Sequence, residues 1–300
     1  MTNELIRLES VSKHFPIKKT LGRVTETLKA VDDVSFTIKK GETLGLVGES
    51  GSGKTTLGRT ILQLEHATGG KIFFDGIDIT NLNAKDKREI QQRMQIIFQD
   101  PYASLNPKRT AIEQVIEPLS LHYDKQEAHQ RALEMLNKVG IEGDAIHKYP
   151  REFSGGQRQR IGIARAVVMN PDFILCDEPI SALDVSIQAQ IINLLVELQA
   201  SLGLTYLFIS HDLSMVRYIS DRIAVMYLGK LVELGPTDKL FEQPQHAYTK
   251  KLLSAIPVAD PALASQAFNQ TSPALSNTNI SNEGYWTEVS PEHFVLKEDI

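Results

Sequence analysis

The chain has 300 residues, 42% hydrophobic and 23% charged, which suits one large α/β domain with a smaller appendage and is too apolar for extensive disorder. Its 32 basic and 37 acidic residues give a formal net charge of -5 and lie in small scattered groups, so no basic stripe is available for a nucleic-acid backbone. A single cysteine, Cys176, excludes an intrachain disulfide or a cysteine-ligated cluster made by this chain alone, and its expected role is that of a small buried hydrophobe.

Met1 to Ser10 lacks the basic and then apolar regions of a secretory signal, so the chain is expected in the cytosol. Residues 5 to 11 and 31 to 38 alternate apolar with polar, with Val34, Phe36 and Ile38 on one side, which predicts an antiparallel pair at a sheet edge. Glu42 to Val47 reads as a short apolar strand running into a glycine-rich turn and a helix from about Lys54. Between Pro101 and Arg151 the period is helical, through Ala132, Leu133, Leu136 and Val139, with breaks at Pro107, Pro118 and Pro150. This predicts an inserted helical subdomain over about 101–165. Alternation then resumes with a strand at 173–176, a helix at 186–202 presenting Ile191, Leu194, Leu195 and Leu198, a strand at 204–209, a helix near 213–219 and a strand at 222–227. Such a succession predicts a mostly parallel sheet covered on both faces. Beyond Pro257 the composition turns to Ser, Thr, Asn, Pro and Ala, most clearly over Gln270 to Asn282, and reads as a connector. No apolar run is judged to reach the roughly 18 to 20 residues of a membrane span, so work at a membrane would pass through a partner.

Two stretches carry chemistry. Gly48-Glu49-Ser50-Gly51-Ser52-Gly53-Lys54-Thr55, followed by Thr56, fits the P-loop pattern in full. Its backbone N–H groups and the helix N-terminus suit phosphate oxygens, Lys54 would reach the β and γ phosphates, and Thr55 would ligate Mg²⁺. Phe173-Ile-Leu-Cys-Asp177-Glu178 is an apolar strand ending in two carboxylates. Consecutive residues at a strand end point differently, so Asp177 can hold Mg²⁺ while Glu178 orients and deprotonates an attacking water.

Phe153-Ser154-Gly155-Gly156-Gln157-Arg-Gln-Arg160 is a second phosphate-handling motif, a hydroxyl and two glycines opening a basic helix; taken alone it could be an ordinary helix N-cap. A lone P-loop site does not need it. Here the chain resembles the ATP-binding-cassette family, matching its signature with Phe153 in place of the commoner Leu. The resemblance implies that Ser154, Gly155, Gly156 and Gln157 act across a head-to-tail dimer on ATP held by a second ABC ATPase. It further implies that Gln99 senses Mg²⁺ and the attacking water, that Ser181-Ala-Leu-Asp184 is the D-loop despite Ile180 before it, and that His211 contacts the γ-phosphate. By the same resemblance Phe15 stacks on adenine, with residues 16–29 as an unusual spacer after it.

The resemblance covers residues 4 to 260 and narrows to the oligopeptide and dipeptide importer ATPases. Phe153 to Arg165, Ile180 to Gln190 and His246-Ala-Tyr-Thr-Lys-Lys-Leu-Leu-Ser-Ala-Ile-Pro257 carry it, the last lying outside the ATP motifs. The implied fold is α/β, a P-loop NTPase (RecA-like) core with an antiparallel β edge subdomain and the inserted helical subdomain. Residues 1–257 would form the nucleotide-binding domain and 258–300 a C-terminal extension. Relatives often carry a cysteine-rich segment there; Pro257 to Ile300 has no cysteine, so no iron-sulfur cluster is expected, although Glu288 to Val295 resembles the end of that segment. The implied ligands are ATP and Mg²⁺. The implied partners are a distinct second ATPase chain, two membrane permease subunits and an extracytoplasmic peptide-binding protein, with no nucleic acid, at the cytoplasmic face of the membrane. Because such an ATPase touches no cargo, nickel or another small solute stays open as an alternative. A soluble cassette acting on ribosomes or DNA is disfavoured by the single cassette and the absence of sustained heptads.

Overall fold

The computed structural model describes residues 3–20, 23–255 and 284–298. The chain opens with β1 (Glu4–Thr20) and β2 (Arg23–Lys39), a long antiparallel hairpin. β3 (Thr43–Val47) follows and leads through the glycine-rich turn into α1 (Lys54–Ile61). β4 (Gly69–Phe74) and β5 (Ile77–Asp78) return to the hairpin, completing a four-stranded sheet in the order β2-β1-β4-β5. α2 (Ala84–Arg93), capped by the Asn83 side chain, runs straight into β6 (Met94–Ile97).

A helical block comes next: α3 (Pro101–Ser104), α4 (Ala111–Leu119), α5 (Lys125–Lys138), 3-10 turns at Gly143–His147 and Pro150–Glu152, and α6 (Gly155–Val167). Local chemistry sets its boundaries. Thr110 and Glu113 close a reciprocal capping box on α4, and the Asp124 carboxylate accepts two backbone N–H bonds at the start of α5. The α/β succession then runs β7 (Phe173–Asp177), α7 (Val185–Leu202), β8 (Thr205–Ile209), α8 (Leu213–Ile219) and β9 (Arg222–Tyr227). β10 (Lys230–Pro236), α9 (Thr237–Glu242) and α10 (Ala247–Ser254) follow, and a hairpin of β11 (Gly284–Ser290) and β12 (His293–Glu298) adds to β10.

The second sheet is ordered β11-β12-β10-β9-β3-β8-β7-β6, parallel from β9 to β6 and antiparallel beyond. Its central strands bury both faces. Leu44, Leu46, Leu175, Leu207 and Ile209 join Leu57 and Ile61 of α1 and the inner face of the β1–β2 hairpin in one core, while Ile174, Cys176, Tyr206 and Phe208 join α6, α7 and α8 in another. Strands covered on both sides are near-continuously apolar, which is why 173–176 and 204–209 stand out in the sequence. Arg222 ties the two sheets together. Its Nη1 lies 3.1 Å from the Glu42 carboxylate and 3.2 Å from the Thr37 carbonyl, with both charged side chains almost wholly buried.

Two expectations are corrected. Residues 16–29 are not a spacer: their described parts are the outer rungs of the hairpin, with Phe15 opposite Leu28, Pro16 opposite Thr27 and Lys18 opposite Glu26. An opposite-charge pair facing across an antiparallel rung supports pairing where little apolar surface is available. Second, α7 does reach the length and composition of a membrane span. Gln188, Gln190, Asn193 and Gln199 break its apolar run without adding charge, so the run looks shorter than its mean hydropathy makes it. In the structure its Ile191, Ile192, Leu194, Leu195 and Leu198 are buried in the core beneath the sheet. The segment over 270–282 expected as a connector lies outside the described residues.

Ile191 is fully buried and Leu121 is 85% exposed. Ile191→Ala is expected to cost about 2–5 kcal/mol in a denaturant titration, against less than about 0.5 kcal/mol for Leu121→Ala.

Candidate active site

β3, β8 and β7 run parallel in register, with Leu46 opposite Ile209 and Ile209 opposite Asp177, so their C-terminal ends lie side by side. From those three ends come the glycine-rich loop, the Ser210-His211 turn and the Asp177-Glu178 pair. Reactive loops collect at this edge of a parallel sheet because the side chains there leave the packed layer together.

The loop can exist only with glycine at its corners. At Gly48 and Gly53 the backbone has positive φ, and a Cβ would sit 2.1 Å from the Met226 carbonyl and 1.9 Å from the Ala30 carbonyl respectively. The chain is thereby pressed against β2 and β9. Lys54 is 5% exposed and its Nζ donates to the Gly48 carbonyl at 2.7 Å and the Glu49 carbonyl at 2.8 Å, with the Ser52 hydroxyl at 3.4 Å. Burial pulls its pKa below that of an ordinary lysine, opposed by the negative charges of Glu178, Asp177 and Glu49.

Thr55 donates to the Asp177 carboxylate at 2.9 Å, and Arg59, one turn further along α1, approaches its other oxygen at 3.7 Å. Burial pushes the Asp177 carboxyl up despite the Thr55 hydrogen bond and Arg59. Glu178 stands in the left-handed region at φ 49, with its amide donating to the Ile209 carbonyl. That conformation is uncommon for a residue with a Cβ and turns the side chain out of the strand direction toward the loop. One oxygen of Glu178, Oε2, accepts from Gln99 Nε2 at 3.0 Å and lies 3.4 Å from His211 Nδ1.

Two clefts meet at Thr55. One, of about 360 Å³, is lined by Phe15, Ser50, Gly51, Gly53, Lys54, Thr55, Thr56 and Glu178, together with Leu28, Lys29, Ala30, Leu228 and Gly229. The other, of about 420 Å³, is lined by Thr55, Gln99 and Asp177, together with Arg59, Phe98, Asp100, Ala103 and Ser104. The first has an apolar end at Phe15, Leu28 and Leu228 and a polar end at the loop, which suits a nucleobase joined to a phosphate chain. In the second, the hydroxyl of Thr55, the carboxylate of Asp177 and the amide of Gln99 are all hard oxygen-type groups. That donor set fits Mg²⁺, which uses one or two carboxylates and keeps several waters. Among the described residues no three His, Cys, Asp or Glu side chains cluster as a metal site, which is compatible with such a sparse set.

Ser154, Gly155, Gly156, Gln157 and Asp184 line neither cleft. Ser154 caps α6 reciprocally, its hydroxyl accepting from the Gln157 amide at 3.3 Å and its own amide donating to Gln157 Oε1 at 3.0 Å. Within one chain the helix-cap role is therefore met in full. Gly156 packs so closely that a Cβ would lie 2.5 Å from Ile187, so the opening of α6 and the Asp184 end of α7 form one surface. Ser154, Gln157 and Asp184 are all exposed on it.

The sequence reading missed Leu28, Leu228 and Arg59. Arg59 was findable four residues after Thr55 on a helix, where two side chains share a face. Leu228 carries a weaker signal, an apolar residue before Gly229 in a two-residue turn, and Leu28 was hidden by the assumed spacer.

The model of the ABC transporter family matches residues 31–181, and that of the oligopeptide/dipeptide transporter C-terminal region matches residues 232–282. The chain is 52% identical over 301 residues to the oligopeptide transport ATP-binding protein OppF of Bacillus subtilis, covering 99% of this chain and 97% of that one. It is 54% identical over 258 residues to AppF of the same organism, covering 85% of this chain and 78% of that one. Among solved structures, the dimeric post-hydrolysis state of the ATP-binding cassette MJ0796 bound to ADP and Pi aligns with a TM-score of 0.70 at 32% identity, covering 78% of this chain and 99% of that one. CbiO1 from Clostridium perfringens, part of the ABC transporter complex cbiONQ, aligns with a TM-score of 0.71 at 26% identity, covering 81% of this chain and 92% of that one.

Glu178→Gln keeps the shape and the acceptor oxygen but removes the basic carboxylate, so nucleotide binding should persist while turnover falls by about 10²- to 10⁴-fold. A second expectation concerns Asp177 in the nucleotide-free protein. Its folded-state pKa lies above the ordinary 3.8, so the folded protein retains that proton to higher pH than the unfolded chain, and this group's contribution to stability falls as pH rises above 3.8. Thermal midpoints of Asp177→Asn relative to the parent should therefore improve as pH rises through the carboxylate range, while Mg²⁺-dependent hydrolysis is lost.

Proposed function

The chain belongs to the ABC transporter family, and on that footing we propose that it is the ATP-hydrolysing subunit of an importer of oligopeptides or dipeptides. The observation that carries the chemistry is Glu178, turned out of β7 toward the phosphate loop with Gln99 and His211 on the same carboxylate oxygen.

In this reading the amides at the start of α1 and the Lys54 ammonium take the phosphate chain of ATP, and Phe15, Leu28 and Leu228 take its base. Lys54 stands desolvated in the loop, held on two carbonyls, so its charge acts at short range and low local dielectric once it swings to phosphate. The Thr55 hydroxyl, the Asp177 carboxylate and the Gln99 amide would hold Mg²⁺, which when bound would supply charge neutralisation on the phosphates. Glu178 accepts a proton from the attacking water; Gln99 fixes the carboxylate from the side of the helical block, and His211 fixes it from β8. The base is thus held from two sides, by the end of a core strand and by the segment leading into the helical block, so a displacement of that block would reach the carboxylate through Gln99.

The exposed surface formed by Ser154, Gln157 and Asp184 is assigned to a second ABC ATPase, a distinct chain, whose bound ATP it completes. The dimeric arrangement named for MJ0796 supports the pairing of two cassettes, and the distinctness of the second chain rests on the resemblance to the oligopeptide importer ATPases. The remaining assembly is two membrane permease subunits and an extracytoplasmic peptide-binding protein, with this chain at the cytoplasmic face and no nucleic acid. No iron-sulfur cluster is assigned, because one cysteine, buried in the core, cannot supply its thiolates.

Cells carrying Lys54→Ala should lose uptake of labelled short peptides and recover it with the unmutated chain. Uptake that persists while the variant protein fails to bind ATP would move the cargo to nickel or another solute and leave the ATPase assignment standing.

A further inference from the structure

We propose that Tyr248 is a positioning residue of the phosphate loop, held in place through Glu233 and His293 by the C-terminal hairpin; the proposal rests on reading that loop as the ATP site. Tyr248 lies on α10, within the His246 to Pro257 stretch that has no part in the ATP motifs. Its side chain is 1% exposed and its ring stacks on Tyr227 at 4.2 Å between centroids.

The phenolic oxygen of Tyr248 accepts the backbone N–H of Glu49 at 2.8 Å. The carbonyl of the same residue accepts from Lys54 Nζ at 2.8 Å and from the Ser52 amide at 3.2 Å. Residue 49 is thus fixed at both ends, by Tyr248 on one side and by the lysine that must reach phosphate on the other. Burial pushes the Tyr248 hydroxyl up to about 12, so it remains a neutral group at working pH. Lys251, one turn later on α10, also approaches the Glu49 carboxylate at 3.8 Å.

What holds α10 is equally specific. Glu233 of β10 is fully buried, and its two oxygens accept the amides of Gln245 at 2.9 Å and His246 at 2.8 Å, the residues that open α10. Its third partner is Nε2 of His293 at 2.7 Å, from the first residue of β12. A buried carboxylate needs all these partners, since an unmet one would be costly. The hydrogen-bonded chain therefore runs from the C-terminal hairpin through Glu233 to the start of α10, and from α10 to the loop. Its function is to keep the loop in a phosphate-ready shape before nucleotide arrives, so its loss should appear in ATP affinity and not in the hydrolytic step.

The test uses the intact transporter purified from source membranes. Tyr248→Phe keeps the stacked ring and removes only the acceptor. Its KM for ATP should rise roughly five- to tenfold with kcat within about twofold and the thermal midpoint within about 2 °C of the parent. His293→Ala should raise KM roughly two- to fivefold, His293→Gln should restore it by returning an N–H donor, and the double variant with Tyr248→Phe should be no worse than the larger single effect. An unchanged KM in folded Tyr248→Phe, or a fall confined to kcat, overturns the positioning role; an unchanged KM in His293→Ala overturns the link to the hairpin. Lys54→Ala in the same assay separates the two levels: if that variant binds ATP as the parent does, the reading of the loop itself fails, whatever Tyr248 shows.

Discussion

The in-register parallel ladder of β3, β8 and β7 is the constraint on which the rest depends. Each strand is buried on both faces and ends where the packed layer ends, so three loops with no common sequence pattern emerge within reach of one another. The stagger could not change by even one residue without turning every buried side chain of a strand toward the wrong core. Apolar burial in the sheet thereby sets the spacing of the polar groups at its edge. Thr55 meets Asp177 and His211 meets Glu178 because Leu46, Ile209 and Asp177 stand on one rung, and Gln99 reaches Glu178 because β6 extends the ladder, with Ile97 opposite Cys176.

At that edge the molecule carries groups in states that are individually unfavourable. Lys54 is charged and nearly solvent-free, Asp177 is an acid whose ionised form burial disfavours, and Glu178 adopts a backbone conformation that favours glycine. None of these serves packing. They persist because the cores above and below the sheet are extensive enough to hold them, and each places a charge where a polyphosphate and a hard cation would relieve it. Arg222 and Glu42 represent the other use of buried charge, an ion pair that fixes one sheet on the other through a single guanidinium nitrogen, Nη1.

The chemistry was more legible in the sequence than the scaffolding around it. Glycine at 48 and 53 is demanded by the Met226 and Ala30 carbonyls pressed against them, and a lysine directly after such a turn and two acids after an apolar strand stand out from the surrounding composition. β7, β8 and β9 were legible for a related reason, since doubly buried strands must be apolar throughout. β6 was not, because its four residues continue from α2 without a breaking residue. The outer hairpin rungs were misread as a spacer because Lys18 opposite Glu26 stabilises pairing through register, and a single strand does not reveal its register. Glu233 and Tyr248 could not be assigned at all from sequence. Their roles depend on partners 60 residues away in one case and 199 in the other, and a buried carboxylate looks like any other until its donors are known.

The terminal hairpin also decides what the sheet presents to its surroundings. β10 is paired to β9 on one side and to β12 on the other. Without β12 the row of backbone N–H and C=O groups along β10 would lie open, and such an edge is a template for pairing with a second chain. The hairpin moves the open edge outward to β11, where Glu288 places a charge. The feature that steadies the phosphate loop thereby also guards the folded chain against edge-to-edge association.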